Sequence, residues 1–322
     1  MKISIIIPVY NVEDYIVDCL ESVARQTFDG EIECLIIDDC GTDKSIAIAE
    51  SFIETYNGSV NFAILKREKN GGLSAARNTG TDAATGDYIF YLDSDDMITS
   101  DCIAKMAETA CRFPDAGLIQ GGIVNHEGMM IYDIYTKDLP DFSTDIKWIK
   151  TELMMPKRLP VSSWNKLIKR EIIEKNHIRF VEGIIHEDVP FAFHLAQVIR
   201  CIAFCKENTY IYRSQRTGSI LNSSFIERSY ISRMKAYQYC IEHTDEIEKD
   251  IQIYSVLQRL HYALQTKPKS DIANIETRKL YSAILHDAPS KIKNRLTLFF
   301  SLPWKVQRSK TVFNFLFHVN NI

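Results

Sequence analysis

Within its first hundred residues the chain alternates four times between short apolar runs and segments of helical periodicity, and few folds tolerate that alternation. Ile3 to Ile7 is continuously apolar, as expected of a parallel strand covered on both faces. Pro8-Val9-Tyr10-Asn11 breaks the run, and Asn11 is a candidate cap for a helix whose Ile16, Cys19, Leu20, Val23 and Ala24 form one stripe. A second run, Ile32 to Ile37, precedes helical spacing at Ile46, Ala49, Phe52, Ile53 and Tyr56, with Asp43 as its cap. Phe62 to Leu65 is the third run, followed by a small-residue helix from Leu73 to Ala84, and Tyr88 to Leu92 is the fourth. Strands alternating with helices predict the α/β class, an open and mostly parallel sheet flanked by helices. Ligands bind such sheets beyond the carboxyl ends of the strands.

Two of these strands stop in acid. The second ends in Asp38-Asp39 and the fourth in Asp93-Ser94-Asp95-Asp96. Three carboxylates in four residues raise one another's pKa values unless a cation compensates. A hard divalent ion, Mg2+ or Mn2+, held by carboxylate oxygens and substrate phosphates would do so. The same residues also suit an acidic turn before a helix.

The net charge of −4 excludes a generally basic nucleic-acid binder, but it hides an asymmetry. No acid follows Asp287, whereas Lys291, Lys293, Arg295, Lys305, Arg308 and Lys310 do, interleaved with Leu296, Leu298, Phe299, Phe300, Trp304, Phe313, Phe315 and Phe317. Basic and aromatic residues without acids suit a membrane surface, and they suit equally a helical cap packed on the protein or on a second copy, which leaves homo-oligomerisation open. Eight scattered cysteines without CxxC spacing read as reduced thiols. With no run of membrane-spanning length, the expected location is cytoplasmic, with peripheral attachment to the inner face of the membrane through the tail.

Beyond residue 100 the pattern predicts a helix from Asp101 to Phe113, a strand from Gly117 to Val124 and helices near Ile146 to Met154 and Trp164 to Asn176. A helix from Asp188 to Ile199 and a strand from Ile202 to Arg213 follow, with helices beyond Asn222. The expected division is a nucleotide-sugar-binding and catalytic domain over residues 1–220 and a helical region with the basic tail over 221–322.

Four segments together resemble the family-2 glycosyltransferases: Ser4 to Asn11, Ile37 to Ser45, Asn70 to Gly80 and Gly86 to Asp96. Trp164-Asn165-Lys166-Leu167, Glu187-Asp188 and Tyr212-Arg213 to Ser219 extend the resemblance to about residue 220. Cys40-Gly41-Thr42 departs from the small polar residues usual at that point. The resemblance implies the GT-A fold, a Rossmann-like sheet with a helical C-terminal extension here, and transfer of a sugar from a nucleotide diphosphate. The donor expected is UDP-hexose or UDP-N-acetylhexosamine, the acceptor a glycan or lipid-linked glycan of the cell surface. The alternative is a non-catalytic nucleotide-sugar-binding scaffold of a glycan assembly complex.

By resemblance, Pro8, Val9, Tyr10 and Asn11 lie at the base, Asp39 accepts the hydrogen bond of the pyrimidine N3, and Asp38 supports its loop. Gly71, Gly72 and Ser74 present a helix start to the diphosphate, with Arg77 as a fixed cation. Asp93 and Ser94 lie on the ribose side and Asp95 and Asp96 take the metal, Asp96 as ligand or support. Asp188, in the pair Glu187-Asp188, is the general base of an inverting displacement. Tyr212, Arg213, Arg216 and Ser219 close over the donor phosphates, and Trp164 and Lys166 line the acceptor side.

Overall fold

A computed structural model describes residues 1–132, 139–155, 159–213, 226–243 and 249–317. In chain order the elements are β1 (Lys2–Val9), α1 (Ile16–Ala24), β2 (Glu31–Asp38), α2 (Ser45–Thr55), β3 (Asn61–Lys66), α3 (Leu73–Ala83), β4 (Tyr88–Tyr91) and β5 (Met97–Ile98). Then come α4 (Cys102–Arg112), β6 (Leu118–Asn125), β7 (Met130–Tyr132), β8 (Phe142–Ser143), α5 (Ile146–Met154), β9 (Lys166–Lys169), α6 (Arg170–Lys175), α7 (Asp188–Val198) and β10 (Ile202–Tyr212). Six helices close the chain: α8 (Ile226–Glu242), α9 (Lys249–Ala263), α10 (Asp271–Asp287), α11 (Ser290–Ser301), α12 (Trp304–Gln307) and α13 (Lys310–Phe317).

The chain forms two compact units. The first comprises residues 1–150, 162–183 and 194–217, the second 151–161, 184–193 and 218–322. The first is built on one sheet in the order β3-β2-β1-β4-β9-β6-β10-β5, with β7 beside β6 and β8 beside β10. The long strands β3, β2, β1, β4, β6 and β10 run in one direction, and β9 opposes its neighbours β4 and β6. Ile3, Ile5, Ile6, Ile7, Ile36 and Ile37 are fully buried, which is why these strands read as continuous apolar runs rather than as alternation.

Three local expectations are corrected. Pro8 does not break β1: it lies within the strand, opposite Ile37. Its side of the strand faces β4, where pairing ends at Ile6, so the missing N–H costs no ladder bond. Asn11 does not cap α1, which begins at Ile16 without a side-chain cap; it takes φ 52° and its Oδ1 accepts from Thr42 N–H at 2.8 Å. The stretch expected as a helix from Trp164 to Asn176 is β9 followed by α6, because Leu167 and Ile168 insert as a four-residue strand between β4 and β6.

In the second unit α8 packs against α9 and α10, and the Tyr230 hydroxyl lies 2.9 Å from Thr277 Oγ1 across the α8–α10 contact. The tail aromatics expected at a membrane surface are largely internal. Phe299 packs on Phe313 and Phe317 with ring centres 5.9 and 5.3 Å away, and all three are buried. Burying each ring contributes roughly 2–3 kcal/mol, so these residues act as core. Phe315 and Leu298 remain exposed. Among the described residues no helix is long and apolar enough to cross a membrane.

Candidate active site

The carboxyl ends of β3, β2, β1 and β4 lie side by side, and each delivers part of one site. At β1, Pro8 and Val9 are buried while Tyr10 and Asn11 are exposed. At β2, Asp38 Oδ1 accepts from Cys40 N–H at 2.9 Å, closing a turn that sets Cys40 at φ 58°. Asp38 therefore supports the loop.

Asp39, only 2% exposed, gathers the end of β3. Its Oδ1 accepts from Gly71 N–H (2.9 Å) and pairs with the Arg67 guanidinium; its Oδ2 accepts from Gly72 N–H (2.8 Å) and Asn70 Nδ2 (3.0 Å). Four donors match the four lone-pair positions of a carboxylate. Gly72, at φ 81° before α3, takes a conformation that a side chain disfavours. A Cβ on Gly71 would collide with the Arg67 guanidinium and Ala75. The glycines thus let two backbone N–H groups reach one carboxylate. Ser74 is buried and its hydroxyl donates to the Val181 carbonyl at 2.8 Å, which leaves its backbone at the helix start as the group it offers.

At β4 the three carboxylates of Asp93, Asp95 and Asp96 offer oxygens within 4.8 Å of one another. Asp93 is half-buried and its Oδ1 accepts from Arg77 Nη2 at 2.7 Å. Arg77 is 1% exposed, with its guanidinium 5.2 Å from the centre of the Phe180 ring. It is a buried partner of the acidic loop. Ser94 is buried within that loop. Asp96 is buried too: Oδ2 accepts from the Tyr210 hydroxyl (2.7 Å) and Oδ1 from Arg213 N–H (2.8 Å). Burial, and then the negative charges of Asp95 and Asp93, push its carboxyl up to about 8 despite both hydrogen bonds. Burial, reinforced by Asp96, also raises the Tyr210 phenol.

These residues fit a hard divalent cation. The donor set is all oxygen, which suits Mg2+ or Mn2+, and the crowding that pushes the Asp96 carboxyl up is what a dication relieves. Among the described residues this is the one group of three or more His, Cys, Asp or Glu side chains placed to share an ion.

Arg213 belongs to the same cluster through other contacts than those expected of it. Its Nε donates to the Asp95 carbonyl (3.1 Å), its Nη2 to Asp18 Oδ2 (2.8 Å), and it lies 5.1 Å from the Tyr15 ring centre. Arg216 and Ser219 lie outside the described residues. Beyond β4, the half-exposed Trp164 stacks at 14° on both Tyr210 and Tyr212, 4.4 and 5.7 Å away. Tyr210 and Tyr212 are two apart on β10 and present one face of the strand. Asn165, at φ 56°, holds the Trp164 turn: its Nδ2 donates to the Gly122 carbonyl (2.9 Å) and its Oδ1 accepts from Thr209 Oγ1 (2.7 Å). Lys166, expected to line the acceptor side, is buried and donates to the Ser162 carbonyl at 2.5 Å. The side chain points into the fold because β9 is an interior strand.

Glu187 and Asp188 belong to the second unit, where Asp188 opens α7. Glu187 is buried and Asp188 half-buried. The segment before them is pinned to α8: Ile185 N–H donates to Ser232 Oγ at 2.7 Å, and His186 Nε2 lies 2.8 Å from Ser229 Oγ and accepts from Arg233 Nε at 3.2 Å. Burial, then the Arg233 charge, lowers His186 to about 4, so it is neutral near pH 7 and its Nε2 serves α8.

Sequence reasoning missed two residues that organise this site. Arg67 closes the Asp39 cluster, and Tyr210 joins Asp96 to Trp164 while its hydroxyl accepts from Asp93 N–H at 3.3 Å. Tyr210 falls in a stretch predicted as strand, and nothing in strand periodicity distinguishes a tyrosine that reaches a remote carboxylate.

Comparison with known proteins gives this geometry its context. Glycosyltransferase GlyG of Streptococcus pneumoniae serotype 4 is 29% identical over 69% of this chain and 74% of its own length. A poly(ribitol-phosphate) beta-glucosyltransferase of Bacillus spizizenii is 27% identical over 90% of this chain, which spans 46% of that protein. The crystal structure of S. aureus TarS 1-349 in complex with UDP-GlcNAc superposes with a TM-score of 0.72 at 20% identity, covering 99% of this chain and 91% of that one; it establishes the shared GT-A fold. The family described as "Glycosyl transferase family 2" matches residues 4–175. That span, more than half of the chain, holds the glycine loop, both acidic strand ends and Trp164: the chain is a glycosyltransferase of family 2.

Proposed function

We propose that this protein is a metal-dependent, inverting glycosyltransferase that moves a sugar from a UDP-sugar to a hydroxyl of a cell-surface glycan. The observation that carries the reading is the order of strand ends along the sheet: the Asp39–glycine cluster at β3 and β2, exposed Tyr10 at β1, the carboxylates at β4, then Trp164 before β9. Neighbouring strands are about 4.8 Å apart, so these groups present nucleoside, diphosphate and sugar functions in linear sequence. The relatives named for poly(ribitol-phosphate) support a polysaccharide acceptor. UDP-N-acetylhexosamine is the donor the TarS complex favours, by analogy of fold.

Asp95 would hold the cation, with Asp96 as a second ligand or as the buried support that Tyr210 and the Arg213 N–H fix from behind, and Asp93 on the ribose side. The cation supplies Lewis-acid stabilisation of the departing diphosphate. Arg77 orients Asp93, whose second oxygen is directed to the ribose or the cation. Asp39 receives the pyrimidine N3–H by exchanging one of its four donors. Arg67, whose side chain is 18% exposed, is the donor with freedom to leave. Trp164, backed by Tyr210 and Tyr212, offers an indole face to the apolar face of a sugar ring. Asp188, by resemblance to the Glu-Asp pair of the family, takes the proton of the attacking acceptor hydroxyl, and catalysis by one base without a covalent intermediate gives inversion.

The test is nucleotide release from a panel of UDP-, GDP- and dTDP-sugars, with and without Mn2+. Release from a UDP-sugar, dependent on Mn2+ and abolished by Asp95→Ala, is expected; no release from any donor defeats the reading. Asp188→Asn should retain donor binding and lose transfer by 100-fold or more. A full transfer rate in that variant would remove Asp188 as the base.

A further inference from the structure

The transfer chemistry leaves a sizeable cleft of the second unit unused. It lies between the segment entering α10 and the start of α12, has a volume of about 460 Å3, and is lined by residues 267–271, Asn274 and Trp304. The volume falls within the roughly 300–1,000 Å3 typical of small-molecule sites.

Its charges are unbalanced. Lys267 and Lys269 stand in the wall, Arg278 is close enough to Lys267 to oppose its charge, and the Arg308 guanidinium sits 5.1 Å from the centre of the Trp304 ring. Asp271, exposed in the first turn of α10, is the one carboxylate in the wall. Burial, and then Arg278, lower the Lys267 pKa, the response of a cation held among cations with too little water. An entering anion relieves that repulsion. Trp304 keeps Arg308 against its ring and still lines the cleft, so the indole surface left to the cleft suits the C–H face of a sugar or polyol. The exposed Asn274 amide supplies a donor and an acceptor for hydroxyls.

We propose that this cleft binds a phosphate-bearing glycan or polyol chain, its phosphate on Lys267 and Lys269 and its carbon skeleton on Trp304. The exposed apolar side chains of this unit, Ile272, Ile275, Leu298 and Phe315 included, are not among the wall's residues, which offer charge, amide and a single indole; vesicles are therefore kept as a separate probe. An acceptor polymer with phosphate in its repeat would be gripped here through units other than the one being glycosylated. That purpose rests on the transferase reading; the binding of the anion does not.

Calorimetry on the full chain tests the site with four probes: a synthetic oligo(glycerol phosphate), inorganic phosphate, neutral glycerol, and phosphatidylglycerol vesicles. The oligomer should bind at least tenfold more tightly than inorganic phosphate and weaken at least threefold between 50 and 200 mM salt, with glycerol silent. Lys267→Gln with Lys269→Gln should weaken the oligomer tenfold or more, and Trp304→Ala should weaken it where Trp304→Phe does not. Asn274→Ala, an exposed change, gives a second weakened variant that keeps the fold. Metal-dependent donor hydrolysis should stay at the wild-type rate in the lysine variants, which separates this site from the transferase reading. Unchanged oligomer binding in the double variant, equal binding of glycerol, equal affinity for inorganic phosphate, or binding to vesicles alone would each overturn the proposal.

Discussion

Replacing Asp39 by asparagine tests whether one buried carboxylate holds the nucleotide half of the site together. In the native protein the carboxylate accepts from the N–H groups of Gly71 and Gly72, from Asn70 Nδ2 and from Arg67. An amide keeps one oxygen, enough for two of these donors, and turns an NH2 toward the other two. Hydrogen bonds to a charged group contribute about 1.5–3 kcal/mol each. Breaking a buried ion pair costs roughly 3–5 kcal/mol; because the Arg67 side chain is 18% exposed, water recovers part of that. The expected loss is about 3 kcal/mol, read by urea denaturation of Asp39→Asn against the native protein. UDP affinity by calorimetry should fall at least tenfold, since the loop and the base share the acceptor. Arg67→Gln should cost less alone, and the double variant should show a coupling of about 1–2 kcal/mol. A loss under about 0.5 kcal/mol with UDP affinity unchanged would mean that the glycine loop holds its shape by itself.

Two further outcomes follow from the same sheet. Glu33 is buried among Lys2, Ser4 and Thr85, and although burial alone would raise it, the hydrogen bonds from Ser4 and Thr85 bring its carboxyl from 4.5 down to about 2. A depressed folded-state pKa gives stability that is complete above about 4.5 and lost as pH falls toward 2; after allowance for solvent this is on the order of 2–3 kcal/mol. Glu33→Gln should therefore be less stable than the native protein at pH 7 and nearly equal to it near pH 2, and parallel stability curves across that range would refute the assignment. Tyr210→Phe removes the hydroxyl between Asp96 and Asp93 N–H, and the Mn2+ concentration for half-maximal donor hydrolysis should rise about 10- to 150-fold, the worth of one hydrogen bond to a charged group; an unchanged titration would separate Tyr210 from the cation site.

The parallel half of the sheet was legible because its strands are buried on both faces and each is followed by an amphipathic helix, so the period changes at every boundary. β9 was not legible. Lys166-Leu167-Ile168-Lys169 is too short to show a period, and its identity as a strand comes from the space between β4 and β6. The acidic strand ends could be read as candidate ligands because carboxylates at that end of a parallel strand have a chemical reason to be there. Their partners could not: Arg67, Tyr210 and the Asp18 that pairs with Arg213 come together only through the register of remote elements. The tail was open in another way. Alternating basic and aromatic residues describe a membrane-facing helix and a small helical core equally well, and only packing assigns Phe299, Phe313 and Phe317 to the core.

The carboxylates at the strand ends differ in how their charge is matched, and the difference bears on the proposed cation site. Asp39 faces a guanidinium and three N–H donors, and Asp93 faces the buried Arg77. Asp96 is held by a phenol and a backbone N–H, both neutral. Neutral donors offset part of a carboxylate's desolvation and none of the repulsion from two like neighbours, so burial, and then Asp95 and Asp93, push Asp96 up. At the Asp96 end of the loop the hydrogen-bond partners thus leave like-charge repulsion unrelieved. A second arginine at that end would stabilise the fold and abolish the site's use for a cation. The chain puts Arg213 there, yet turns its guanidinium to Asp18 and the Asp95 carbonyl and gives Asp96 only its N–H. On the metal-dependent reading, Asp18→Asn should free the guanidinium to compete with the cation and raise the Mn2+ concentration for half-maximal donor hydrolysis; an unchanged titration would show that the Asp18 contact does not direct Arg213.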